Sequence, residues 1–137
     1  MTTESITTII TMINVQDSRE DLINSEFAEL LSSDSNDVQY SRLLSLMIHE
    51  MIPLIDRWRM NWISIDSKLD DINDQESVSI ITTMTYEVHS WIRELVNCVP
   101  NVQLIKTIFD NIRTQMITID DKVKAKLTDF KNMLEDN

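Results

Sequence analysis

Apolar residues recur at spacings of three and four along the stretch from Gln75 to Val96. This is the spacing of a helix that packs one stripe of side chains against its neighbours. The ten residues from Ser77 onwards carry no charge, so the other faces of this helix are small and neutral. A helix with so few charges around its circumference is predicted to lie at the centre of the fold, over about residues 76–96. Its stripe consists of Ile81, Met84, Val88, Trp91 and Leu95.

Similar stripes on either side of this stretch predict further helices. Pro53 lies within the longest of them, and because proline lacks a backbone N–H it is expected to kink or split that helix. Asn101 is placed to start the helix that follows the break at Pro100, and Thr118–Asp121 to cap the last one. One predicted segment runs from an N-cap at residue 17 or 18 to residue 32. The others cover residues 4–14, 38–58, 64–72, 101–119 and 123–134.

The fold class follows from these patterns. No run alternates with period two for long enough to predict a strand, so we expect an all-α protein of about seven helices. A length of 137 residues is about that of one domain, and we expect a single domain over residues 1–137. No apolar run approaches the roughly 18 residues of a membrane span, and the N-terminus has no basic leader of the signal-peptide type.

The amino-acid composition argues against several classes of enzyme and of binding partner. The sequence has no glycine, whereas phosphate-binding loops, dinucleotide fingerprints and nucleophile elbows all require it, so these enzyme classes are largely excluded. The formal charge of −11 disfavours nucleic acid and anionic membranes as partners and favours a basic or apolar protein surface. Cys98 is the one cysteine, so no internal disulfide is expected, which fits a reducing compartment such as the cytoplasm.

Titratable residues give little indication of a catalytic or metal site. His49 and His89 have no His, Cys or carboxylate at i+3 or i+4 that would complete a ligand set. Position 53 is proline where the HExxH pattern needs histidine. The acidic segment from Asp66 to Asp74 lacks the glycine and the alternating ligands of a calcium loop. We therefore predict a non-enzymatic protein with no metal and no cofactor.

One cluster has the composition of a protein interface. Tryptophan and arginine dominate binding hot spots because they bury much area and make several contacts at a small entropic cost. The alternative is that one tryptophan lies in the core and the others cover it. The predicted partner-binding residues are Arg57, Trp58, Arg59 and Trp62.

Three segments carry a resemblance to a known family. Ser41–Leu44 places a small residue, Arg and Leu at the opening of an amphipathic helix. Asp74–Ser77 leads into the uncharged helix, which ends on the sequence Glu-Val-His-Ser-Trp at residues 87–91. Two more amphipathic helices follow over residues 104–134. Together these segments resemble the second, central and last helices of the poxviral Bcl-2-like family of small intracellular immunomodulators. The similarity covers roughly residues 40–134.

This resemblance implies a Bcl-2-like bundle around the central helix and a protein that binds host signalling proteins in the host cytoplasm. It would suppress innate immune signalling toward NF-κB or interferon. One alternative is a viral anti-apoptotic homologue that sequesters pro-apoptotic BH3 helices, although Asn61–Ser64 keeps only the first half of the cellular Asn-Trp-Gly-Arg signature. A second alternative is a helical-bundle subunit of a larger assembly.

The resemblance implies two candidate binding surfaces. One is a groove bounded by the second to fifth helices, suited to an amphipathic ligand helix. The other is a face of the first and sixth helices, which family members also use to dimerise.

A homodimer is predicted to use the first helix or the sixth. A helix as short and β-branched as residues 6–13 is expected to need a partner surface. The segment 102–119 carries apolar residues beyond the stripe required for its own core face. A two-fold contact would let one such patch cover its own copy. The predicted dimer face consists of Ile6, Ile10, Leu104 and Ile108.

Overall fold

A computed structural model describes the chain over residues 2–15, 17–32, 36–69, 75–99 and 101–136, with side chains described for all of these except 36–39, 69 and 75–84. Within those ranges the regular structure is entirely helical, as expected for an all-α protein. None of the described helices combines the length and apolarity that crossing a membrane requires. The elements are α1 (Thr3–Ile13), α2 (Arg19–Ser32), α3 (Asn36–Leu46), a π-helical segment (Met47–Met51), α4 (Ile52–Leu69), α5 (Gln75–Asn97) and α6 (Val102–Glu135).

Polar side chains satisfy free backbone donors where the helices begin. The hydroxyl of Thr2 accepts from the N–H of Ser5 at the start of α1. A carboxylate oxygen of Asp17 accepts from the N–H of Arg19 at 3.0 Å, where α2 begins. The side chain of Asn101 accepts from the N–H of Leu104 in α6. These contacts confirm the predicted role of Asn101 and one of the two predicted caps of α2.

Pro53 does not split its helix. The residues that flank the π-helical segment, Leu46 and Ile52, both have right-handed helical dihedrals, so α3, the π-helical segment and α4 form one unbroken helix. The Ile52 N–H donates to the carbonyl of Met47, five residues back. This widened turn lies directly before the proline, which cannot donate to the carbonyl four residues back. The prediction of a separate element over residues 64–72 is accordingly wrong, because α4 continues to Leu69.

The predicted cap at Thr118–Asp121 is also wrong. The hydroxyl of Thr118 donates to the carbonyl of Thr114 at 2.9 Å, within an uninterrupted α6. A threonine whose hydroxyl bonds the carbonyl one turn back is satisfied inside the helix and has no capping role. Two of the expected boundaries are therefore absent, and the described ranges contain five continuous helices where about seven were predicted.

The core lies where the short helices cover the two long ones. α1 packs on α4 and α6, and α2 packs on α3, the π-helical segment and α6. α5 packs on α4 and α6. Phe27 of α2 meets Phe109 of α6 with ring centroids 6.2 Å apart. Because each long helix contacts several others, both need apolar surface on more than one side.

α5 buries a stripe of side chains in its described half. Val88, Trp91 and Leu95 are buried, as predicted, whereas Ile81 and Met84 lie outside the described side chains. Tyr86 and Val96 on the same helix are exposed. The described half of α5 thus has one buried face and one exposed face. A helix surrounded by its neighbours would be buried on all faces, so this half does not show the central position predicted for residues 76–96.

We expect Val88→Ala to lower the free energy of unfolding by roughly 1–4 kcal/mol, because it removes two methyl groups from a tightly packed site. Val96→Ala is the matched control, since both valines lie on α5 and their exposed fractions are 2% and 52%. The control should change stability by no more than about 0.5 kcal/mol. Urea denaturation measures both, and equal losses would contradict the burial of this stripe.

Candidate binding groove

A groove with a volume of 810 Å³ lies between α4 and α6, and residues from the end of α1 to the first turn of α2 also line it. Each long helix lines it with residues spaced at three and four, which place their side chains on one face. The α4 wall consists of Leu54, Arg57, Trp58, Met60, Asn61 and Ser64, and the α6 wall of Arg113, Met116, Ile117, Asp120, Asp121 and Lys124.

Apolar side chains stand open to solvent along this groove. Val15, Met60 and Ile117 all line it and are all among the exposed large hydrophobic residues. They come from three different elements, the α1–α2 connection, α4 and α6. Their convergence makes this groove a candidate binding site, since clustered exposed apolar surface marks places where partners bind.

Asp120 joins the two walls. Its Oδ1 accepts a hydrogen bond from Nε1 of Trp58 at 3.0 Å and another from Nε1 of Trp62 at 2.9 Å. The Trp58 ring also packs against Trp62 and against Trp91 of α5, with centroids 6.5 and 5.9 Å apart. The carboxylate therefore satisfies two indole donors that lie one turn apart on α4.

Burial raises the pKa of Asp120 above its ordinary 3.8. The two indole donors and the positive charge of Arg113 act in the opposite direction, because they stabilise the ionised form. The loss of water around the carboxylate outweighs them. This side chain is thus a partly buried acid at the wall of an open groove.

The predicted interface cluster divides between the groove and the core. Arg57 and Trp58 line the groove, and the exposed guanidinium of Arg57 lies 3.8 Å from Asp17. Arg59 pairs with Asp56 at 2.9 Å and does not line the groove. Trp62 was predicted as a partner contact, but its side chain is buried in the core. The alternative of one core tryptophan covered by the others is met only in part, because Trp62 and Trp91 are both buried and the half-buried Trp58 packs against them.

The predicted dimer face is only partly exposed. Ile6 and Ile108 are buried and Ile10 packs partly buried against the core, whereas Leu104 is exposed. Ile6 and Ile108 are buried because α1 and α6 each pack on several helices at once. Such contacts require a wider apolar surface than the single stripe on which the prediction depended.

Several residues of the groove were not predicted from the sequence. Asp120 follows the buried Met116 by four residues, and an acid at that spacing from a core position indicates a partner. Its partners, Trp58 and Trp62, are themselves four residues apart. Val15, Met60 and Ile117 lie in three separate segments, and no local pattern connects them.

The two histidines lie on different helical segments, the π-helical segment and α5. His49 and His89 are both exposed. Among the residues that the structure describes, no three His, Cys, Asp or Glu side chains are grouped closely enough to hold a metal ion. The acidic segment over residues 70–74 lies outside the described residues.

Comparison with protein-family models, with curated proteins and with solved structures finds no significant match to this chain.

We expect Asp120→Ala to be clearly less stable than Asp120→Asn at neutral pH. Both variants remove the charge, but only the asparagine carbonyl can still accept the indole hydrogen bonds. An unsatisfied buried donor costs about 1–3 kcal/mol. Urea denaturation followed by circular dichroism gives the difference, and equal stabilities would show that the two indoles do not depend on this acceptor.

The stability of the wild type should also fall with rising pH relative to Asp120→Asn. Because the pKa of Asp120 is higher in the folded state, the folded chain holds this proton where the unfolded chain has released it. The stabilisation is complete below pH 3.8 and is lost as pH rises through the raised pKa. Parallel urea titrations measure it. A wild-type advantage that grows with pH would mean that the indole hydrogen bonds outweigh burial and lower the pKa.

Proposed function

We propose that this chain is a non-enzymatic protein of the poxviral Bcl-2-like type, which binds host signalling proteins and so suppresses innate immune signalling toward NF-κB or interferon. The observation that carries the binding role is the groove between α4 and α6. The immune role comes from the resemblance of residues 40–134 to that family.

The groove has the features of a protein-binding surface. The half-buried Trp58 and the exposed Arg57 lie beside the open side chains of Val15, Met60 and Ile117. Aromatic and arginine residues next to exposed apolar groups are the usual composition of binding hot spots. Val15, Met60 and Ile117 are the apolar strip of the groove, and most of the other residues that line it are polar or charged.

The polar groups of the groove support binding rather than catalysis. Oδ1 of Asp120 already accepts two hydrogen bonds from the protein. The guanidinium of Arg113 donates to Glu20 at 2.6 Å. Groups engaged in this way position the walls of the groove, whereas a general acid or base needs to reach a substrate proton.

The contacts of Asn61 and Trp62 give no support to the anti-apoptotic alternative. Asn61 donates to the backbone carbonyl of Met12, and Trp62 donates to Asp120, so both side chains connect elements of this chain. Ser64 lies where the cellular signature has its arginine. The role of that arginine, pairing with a ligand aspartate, has no equivalent at this position.

We expect the wild-type protein to suppress NF-κB or interferon reporters in stimulated cells and to capture a host signalling protein from cytosolic extract. Met60→Lys should abolish both effects, because it places a charge in the apolar strip. Met133→Lys is the matched control, since these methionines are 50% and 63% exposed and Met133 lies outside the groove. Reporter activity and cross-linking with mass spectrometry are the measurements.

Suppression that survives Met60→Lys would keep the proposed function and reject the groove as its site. A wild type that neither suppresses a reporter nor captures a host protein would contradict the proposed function itself. Capture of only the other components of a complex from its own source would favour the assembly-subunit alternative.

A further inference from the structure

We propose that residues 14–20 form a strap across the groove between α4 and α6, and that this strap lifts when its charged contacts are weakened. The structure describes residues 14–15 and 17–20 of the strap. They belong to the connection between α1 and α2 and to the first two residues of α2. The inference adds a way of regulating access to the groove, and it rests on the proposed function only for the role of the groove.

Charged side chains connect the strap to both walls of the groove. Three contacts, here called the latch, are Lys124 Nζ with Asn14 Oδ1 at 2.9 Å, Arg57 with Asp17 at 3.8 Å and Arg113 with Glu20 at 2.6 Å. Arg57 comes from α4, and the other two cations come from α6. Each contact of the latch therefore involves an ionised group on a wall of the groove.

The strap has little apolar surface to lose when it lifts. Its sequence is Asn-Val-Gln-Asp-Ser-Arg-Glu, in which valine is the one apolar residue. Val15 is 60% exposed although it lines the groove. Hydrophobic stabilisation is proportional to the apolar area removed from water, so it contributes little to holding the strap. The charged contacts are left as the main attachment.

Both ends of the strap are anchored in the core. Ile13, the last residue of α1, is 5% exposed, and Ile23 of α2 is fully buried. The carbonyl of Met12 also accepts a hydrogen bond from Asn61 of α4 at 2.9 Å. These contacts hold α1 and α2 on the core while the residues between them move. Lifting the strap therefore opens the groove without unpacking the helices.

Trp58 is a built-in reporter of this movement. It lines the groove together with the strap and is only partly buried. Trp62 and Trp91 are 1% and 3% exposed, so Trp58 provides most of the indole surface that a dissolved quencher can reach. When the strap lifts, a quencher gains wider access to this indole.

The first experiment measures quenching of tryptophan fluorescence by acrylamide in the wild-type protein at low and high salt. Acrylamide is uncharged, so salt does not change its attraction to the protein. Between about 0.1 M and about 1 M salt the screening length falls from about 10 Å to about 3 Å, and we expect the quenching constant to rise at least about twofold. A constant that does not rise would overturn the proposal.

A matched pair of double variants identifies the latch. Asp17→Asn with Glu20→Gln removes both acids of the latch, and asparagine keeps the oxygen that caps α2. Glu26→Gln with Glu29→Gln removes two acids that pair with Arg42 at 3.0 and 2.6 Å, outside the groove. The two double variants change the net charge equally.

We expect the latch variant, already at about 0.1 M salt, to show a quenching constant at least about twofold above that of the wild type. The control variant should match the wild type. Equal rises in both variants would overturn the latch, because access to the indole would then follow net charge or a general loosening. Circular dichroism and urea denaturation check that both variants are folded. The salt experiment uses the wild type alone and decides the proposal even if a variant does not fold.

Failure of this inference is distinguishable from failure of the proposed function. Reporter suppression by a wild type whose quenching does not respond to salt rejects the strap alone. A strap that lifts in a protein without reporter suppression rejects the immune role alone.

Discussion

The hydrogen bonds of Asp120 join α6 to the continuous helix formed by α3, the π-helical segment and α4. Both indole donors lie on α4, one turn apart, and both meet a single oxygen on α6. A carboxylate that leaves water costs free energy unless its hydrogen bonds are replaced, so any slide of one helix along the other would remove that compensation. The contact between Trp58 and Trp91 extends the constraint to α5. The walls of the groove belong to the same two helices, and their separation depends on this cluster.

The continuity of the long helices has a compositional reason. Glycine is the residue that most often ends a helix, through a left-handed residue after the last turn, and this sequence has none. Pro53 interrupts the hydrogen-bond ladder, but the π-helical segment before it absorbs the disturbance and the helix continues. Thr118 bonds to a carbonyl within α6 instead of capping a new helix. As a result the residues of each wall occur on one rigid element, which favours precise placement of their side chains.

Local patterns in this sequence were predictable, whereas helix ends and long-range contacts were not. Periodicity identified the buried face of α5, since Val88, Trp91 and Leu95 follow a local spacing. Helix ends were harder to predict, because the hydroxyl of a threonine can cap a new helix or bond within an existing one. Burial of Trp62 was unpredictable for a different reason: it depends on Asp120, which lies 58 residues away. A tryptophan and an arginine side by side suit both an interface and a core boundary, and only tertiary contacts distinguish the two.

The ion pairs of the groove bear on how a partner would be selected. The pair between Arg57 and Asp17 is long and its guanidinium is largely exposed, so exchanging it for a contact with a ligand would cost little. The pair between Arg113 and Glu20 is short and less exposed, and breaking it would leave a partly buried guanidinium without its acid. The affinity for a partner would therefore come mainly from covering the exposed apolar side chains of Val15, Met60 and Ile117.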